Sequence, residues 1–126
     1  MIRSKSDFLE RDIEKLTLLL RKLFEKVVKT PLAIDDLQQT IVFNDVTITL
    51  EELLKGTLEE FKNKVNPLPV VPKEFVLKIL HQCYHNKTSI AEAVDLKEKI
   101  QYLLTALDEE TKVFSLERSK IKENLN

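Results

Sequence analysis

From Leu9 to Val27 the chain places apolar residues at alternating steps of four and three: Leu9, Ile13, Leu16, Leu20, Leu23 and Val27. On a helix of 3.6 residues per turn these positions form one seam. Phe8, Leu19, Phe24 and Val28 widen the seam into a broad stripe. Ser6 reads as its cap, Asp7 and Glu10 suit the positive end of the helix dipole, and Lys26 and Lys29 suit the negative end. Thr30-Pro31 ends the pattern, because the residue before a proline avoids helical geometry. The seam spans about three heptads, a marginal length for a coiled coil. An amphipathic helix packed in a monomer core is the simpler reading, and a homodimer through Leu16, Leu20, Leu23 and Val27 is the alternative.

Beyond Pro31 the pattern weakens. Ala33 to Gln39 allows a short helical turn. Thr40 to Thr49 (TIVFNDVTIT) is rich in β-branched residues around Asn44-Asp45, which predicts a short hairpin near residues 41–48, with an irregular loop as the alternative. Thr49 with Glu52, and Thr57 with Glu60, are capping boxes. They predict either two short helices meeting at Gly56 or one helix from Leu50 to Val65. The continuous stripe Leu50, Leu54, Leu58, Phe61 and Val65 favours the single helix. Asn66 to Pro72, with three prolines, reads as a stiff extended connector. Lys73 to Asn86 carries Val76, Ile79, Leu80 and Cys83 on one face. Ser89 with Glu92 caps a further helix to Leu107, with the stripe Ile90, Ala93, Val94, Ile100, Leu103, Leu104 and Leu107. After Asp108-Glu109-Glu110 a last helix carries Phe114, Leu116, Ile121 and Leu125. The sum is an all-α bundle of about five helices in a single domain spanning residues 1–126, with a short β-hairpin near residues 41–48.

Composition agrees with this architecture. The chain has 126 residues, 43% apolar and 33% charged, with one Gly and four Pro, too few turn residues for an all-β fold. The net charge of -1 gives no strong field for nucleic acid or anionic lipid, and basic residues are not clustered. Cys83 is the single cysteine, so no internal disulfide forms. Met1 to Arg11 is charged where a secretory signal needs an apolar run, and no apolar run approaches membrane-spanning length. A cytoplasmic protein without membrane or nucleic-acid partners is therefore expected.

Candidate chemistry is sparse. His81 and His85 lie four apart, a spacing that lets two imidazoles share a metal on one helix face. With Val76 at zero on a helical wheel, they fall near 140° and 180°, and Cys83 falls near -20°. The three do not converge, and the two histidines share the polar side with Glu74 and Lys78. Solvated histidines and a buried thiol at Cys83 are the simpler readings. The carboxylate pairs Glu51-Glu52, Glu59-Glu60 and Glu109-Glu110 are each read as helix starts, where the dipole accounts for them. One glycine excludes phosphate-cradling glycine loops, and the absence of Trp removes a stacking platform for single strands. No catalytic residue and no cofactor are expected.

Two stretches bear a likeness. Asp7 to Leu16 reads D-F-L-E-R-D-I-E-K-L, and Phe114 to Arg118 reads F-S-L-E-R after the Leu-rich Tyr102 to Leu107. Together they resemble the opening and the close of small, uncharacterised all-helical proteins from bacteria. The patterns there run D-aromatic-aliphatic-x-R-x-I-E-x-L and T-[FY]-S-[LF]-E-R. Val113 stands where the second pattern often has Thr, and residues 32–88 lie outside the likeness. The resemblance implies a bacterial origin and a helical fold, with a repeat-like helical hairpin at the C-terminus. It carries over no activity, cofactor or catalytic residue. The functional expectation is therefore a non-enzymatic interaction or scaffold protein. The alternatives are a small-ligand-binding or enzymatic helical domain and, against its charge balance, a nucleic-acid adaptor.

Overall fold

A computed structural model of the chain describes residues 5–30, 33–43, 46–86 and 89–125, with the side chains of 5–9 and 46 left out. Among the described residues there are seven helices and one hairpin: α1 (Lys5–Lys29), α2 (Ile34–Leu37), β1 (Thr40–Phe43), β2 (Val46–Thr49), α3 (Leu50–Lys55), α4 (Leu58–Val65), α5 (Val70–His85), α6 (Ile90–Thr111) and α7 (Leu116–Asn124). α1 already includes Ser6, the expected cap.

β1 and β2 pair antiparallel with Ile41 opposite Ile48 and Phe43 opposite Val46. Ile41, Phe43 and Ile48 point inward, while Val42 and Thr47 face out. That alternation places the apolar side of the ribbon on α1 and answers how so small a hairpin is held. The turn residues Asn44 and Asp45 lie outside the described residues.

The single helix expected from Leu50 to Val65 is two helices. The second capping box decides it. Thr57 Oγ1 accepts from the Glu60 amide at 3.2 Å, as Thr49 Oγ1 does from Glu52. A chain that stops for a cap cannot continue the preceding helix, and Gly56 supplies the break with extended backbone (φ -70°, ψ 168°). A Cβ at Gly56 would stand 2.5 Å from the Glu52 carbonyl oxygen, so glycine fits this corner for steric reasons.

The extended connector Asn66 to Pro72 is corrected in the same way. α5 starts at Val70, and Pro72 lies inside its first turn. Amides in the first turn have no intrahelical acceptor, so proline removes nothing there. At the other end of the bundle α6 runs past Leu107 to Thr111 and ends on Lys112 in the left-handed region (φ 54°, ψ 27°). The sequence lacks the usual glycine stop at this point, so the helix end expected at Leu107 falls one turn further on. Glu109-Glu110 therefore sits at a helix end, where the dipole disfavours it. Replacing Lys112 with Gly should relieve the left-handed strain and raise stability by about 1 kcal/mol, read as a higher urea midpoint.

α5 and α6 are antiparallel, since Lys73 in the first turn of α5 bonds Glu110 in the last turn of α6 at 2.8 Å. α1 and α5 run the same way, because Lys78 lies over the Phe24 ring and, further along both helices, Cys83 and Val27 line a common groove. The core joins Leu16, Leu20 and Leu23 of α1, the inward face of the hairpin, Leu53, Phe61 and Val65, the α5 and α6 stripes, and Ile121 and Leu125. Phe114 and Leu116, expected in the last helical stripe, are exposed instead. No helix among the described residues is long and apolar enough to cross a membrane.

Candidate functional site

Helices α1, α2, α3, α5 and α6 meet around a groove of about 480 Å³. Val27, Leu37, Leu54, Leu96 and Cys83 make its apolar wall, and Lys55, Asn86, Ala91, Glu92 and Asp95 complete it. Each helix contributes for a local reason. α2 is set by Asp36, whose Oδ2 accepts from the Ala33 amide at 2.9 Å, while its Oδ1 pairs with Lys26 of α1. The Lys26 bond, followed by the Ala33 amide, holds the Asp36 carboxyl below its ordinary range. α6 is capped by Ser89, whose Oγ accepts from the Glu92 amide at 3.2 Å.

One wall rests on a buried cation. Lys99 is 0% exposed and donates to the Leu54 carbonyl oxygen and to Asp95, each at 2.9 Å. Its ammonium also lies 5.8 Å from the centre of the Phe61 ring. The Leu54 carbonyl is an unpaired group at the end of α3, so Lys99 caps α3 from α6. Ile90 (84% exposed) and Val94 (54% exposed) stand on the side of α6 turned away from Glu92, Asp95 and Leu96. Both were expected in the α6 core stripe. With Ile100 at zero, they fall near 80° and 120° on the helical wheel, whereas Leu96, Leu103, Leu104 and Leu107 lie within about 60° of it. That divergence is a signal the sequence carries.

Three of the four residues of the alternative homodimer interface lie away from this groove. Leu16, Leu20, Leu23 and Val27 are 5% exposed or less and face the interior, so they offer no outer contact while the bundle is closed. Only Val27 reaches the groove. The α1 seam is core because α5 and the hairpin cover it.

His81 and His85 do share one face of α5, with ring centres 4.4 Å apart. His85 is exposed, but His81 is half-buried and its Nε2 is sealed from water without a hydrogen bond. The expectation of two solvated histidines is thus corrected for His81. The face read as polar is partly covered: Lys78 pairs with Glu117 of α7 at 3.2 Å, and Glu74 accepts from Arg118 at 2.9 Å. Burial, with the charge of His85 behind it, lowers the His81 pKa.

Cys83 is half-buried and its thiol is pushed up to about 11 by burial. It is therefore a weak nucleophile. Alkylation by iodoacetamide at pH 8 should be roughly 100-fold slower in the folded chain than in urea, through the thiolate fraction alone. The folded state holds this proton more tightly than the unfolded one. The stability it confers is present below about pH 9 and is lost as pH rises towards 11.

Sequence reasoning gave Arg118 no role. Arg118 is 6% exposed and donates from Nε to Asp108, from Nη1 to Glu74, and from Nη2 to Thr111 and the Val113 carbonyl. Its backbone amide donates to Ser115 Oγ, so the F-S-L-E-R stretch is a cap plus a clamp.

The fold and the groove define a mainly α-helical bundle with a β-hairpin and an open apolar recess. Comparison with family models, curated proteins and solved structures gave no match.

Proposed function

We propose that the chain is a non-enzymatic interaction module whose groove takes an amphipathic helix of a protein partner. The observation that supports this reading is the groove itself, apolar in its wall and open to solvent. A partner helix would set residues spaced i, i+3/i+4 and i+7 into such a recess and leave its polar face to Lys55 and Asn86 at the edge. The groove takes over the role expected of the α1 seam. Kinship with small helical bacterial proteins is part of the same proposal and adds no activity to it.

The test is a selection of helical peptides from a randomised display library on the wild-type chain, scored against the Ala91→Glu variant. Ala91 lines the groove and is exposed, so the variant keeps its thermal midpoint. Peptides with the i, i+3/i+4, i+7 apolar pattern should be enriched and should bind the wild type at least about tenfold more tightly, since a charge facing an apolar contact costs more than 1.4 kcal/mol. Absence of enrichment, or equal binding to both chains, refutes the proposal. The groove volume also falls in the range of small-molecule pockets, which favours an apolar small ligand as the second reading. Such a ligand would occupy the groove without any helical peptide being enriched.

A further inference from the structure

The hairpin leaves one edge bare beside α1. The Leu50 amide donates to the Gln39 carbonyl oxygen at 3.4 Å, so these two residues form a hydrogen-bonded pair of the antiparallel ladder. Such pairs alternate along a ladder. In the register of β1 and β2, the next ones are Ile41 with Ile48 and Phe43 with Val46. Thr40 and Val42 therefore turn their N–H and C=O groups away from β2. Among the described residues none bonds these groups. Proteins ordinarily blunt such an edge with a proline, a charge or a bulge. β1 reads TIVF, its register with β2 runs unbroken, and Val42 is 57% exposed.

The same edge lines a second groove, of about 460 Å³. Thr40, Val42 and Phe43 wall it on one side, and Leu16 and Leu19 of α1 on the other. No described residue of β2 lines it, so it lies along the side of β1 that β2 leaves open. One wall thus offers backbone donors and acceptors at alternate residues, and the other offers apolar side chains. Asp12 and Lys15 also line the groove, and their charges balance, so neither sign is favoured in a guest.

These walls decide what fits. A helix bonds its own N–H and C=O groups internally and leaves Thr40 and Val42 unanswered. A second copy could offer its own β1, but that edge carries its own α1 alongside, so edge-to-edge pairing brings two α1 helices into one groove. An extended segment of another protein meets neither obstacle. We propose that the groove between β1 and α1 takes an extended, uncharged segment of a protein partner, which adds to β1 as a third strand. Its backbone bonds Thr40 and Val42. Its alternate side chains, on the sheet face shared with Ile41 and Phe43, point at Leu16 and Leu19. This groove shares no residue with the one proposed for a helix, and neither reading depends on the other.

The probe is a pool of octapeptides in which Val, Ile, Leu and Phe vary at alternate positions between Thr residues, with a Lys at each end. Binding to the full chain is followed by NMR. The best binder should shift the Thr40 and Val42 amides and slow their hydrogen exchange at least about tenfold. N-methylation of alternate peptide amides should abolish binding in the register that faces β1 and spare it in the other. Val42→Pro removes an N–H that bonds nothing in β2, and should weaken binding at least about fivefold. The methylated peptides act on the wild-type chain, so the test stays decisive if Val42→Pro unfolds. No binding from the pool, equal losses in both methylated registers, or shifts confined to Ala91 and Leu96 of the other groove overturns the proposal. So does a wild-type dimer that Val42→Pro disperses, since it puts a second copy on the edge.

Discussion

Replacing Arg118 with Met should lower the stability of the chain by about 2–4 kcal/mol. Methionine keeps the apolar stem and removes the guanidinium, so the loss reports on polar contacts rather than on packing. Arg118 ties α5 through Glu74, α6 through Asp108 and Thr111, and the α6–α7 turn through the Val113 carbonyl. Breaking a buried ion pair from one side typically costs about 3–5 kcal/mol, because a charge is left without a partner. Here Asp108 and Glu74 are partly exposed and water can reach them, which places the expected cost toward or below the lower end of that range. Urea denaturation at pH 7 measures it. A loss below about 0.5 kcal/mol would mean that the cluster behaves as an ordinary surface pair. Arg118→Lys should recover only part of the loss, since a single ammonium cannot reproduce donors aimed at four separate acceptors. Hydrogen exchange should accelerate around Val113 and Phe114 in both variants.

The second large effect is expected at Lys99. Lys99→Ala removes the stem packed in the core and leaves the Leu54 carbonyl without its donor. The combined cost is about 3–4 kcal/mol. Lys99→Met restores the stem and leaves only the polar loss, so it should cost about 1–2 kcal/mol. Thermal unfolding separates the two variants, and the Ala variant should melt roughly 10 °C below the wild type. Equal losses in both would show that the ammonium, not the stem, holds α3 to α6. Removing Lys99 also frees Asp95 at the groove, so the two variants test whether groove and core are coupled.

The helices were legible because their signals are local. The α1 seam, the alternation through Ile41, Phe43 and Ile48, and the caps at Thr49, Thr57 and Ser89 all act within a few residues. The errors arose where two local signals compete. At Gly56 a continuous apolar stripe pointed to one helix and a second cap to two, and the cap won because its hydrogen bond needs non-helical backbone at Thr57. At Lys112 the stop is a left-handed residue without glycine, a conformation that composition does not announce. At Pro72 the proline stands in the first turn of α5, where it removes no hydrogen bond, so it reads in sequence like one that excludes a helix.

The candidate site was less legible for a different reason. Whether an apolar stripe is core or surface depends on what is laid across it. Leu16, Leu20 and Leu23 become core because α5 and the hairpin reach them. Ile90 and Val94 stay outside because they point away from the α6 core direction. Likewise, the side of α5 bearing Glu74, Lys78 and His81 is polar in sequence, yet α7 and α1 cover part of it. By itself the sequence determined the helical class, the hairpin and the separation of Cys83 from the two histidines, since these follow from periodicity and capping over short distances. Tertiary structure alone decided the burial of Arg118 and Lys99, the sealed nitrogen of His81 and the groove. Each of those requires side chains tens of residues apart to meet, and the cost or gain of burying a charge exists only once they do.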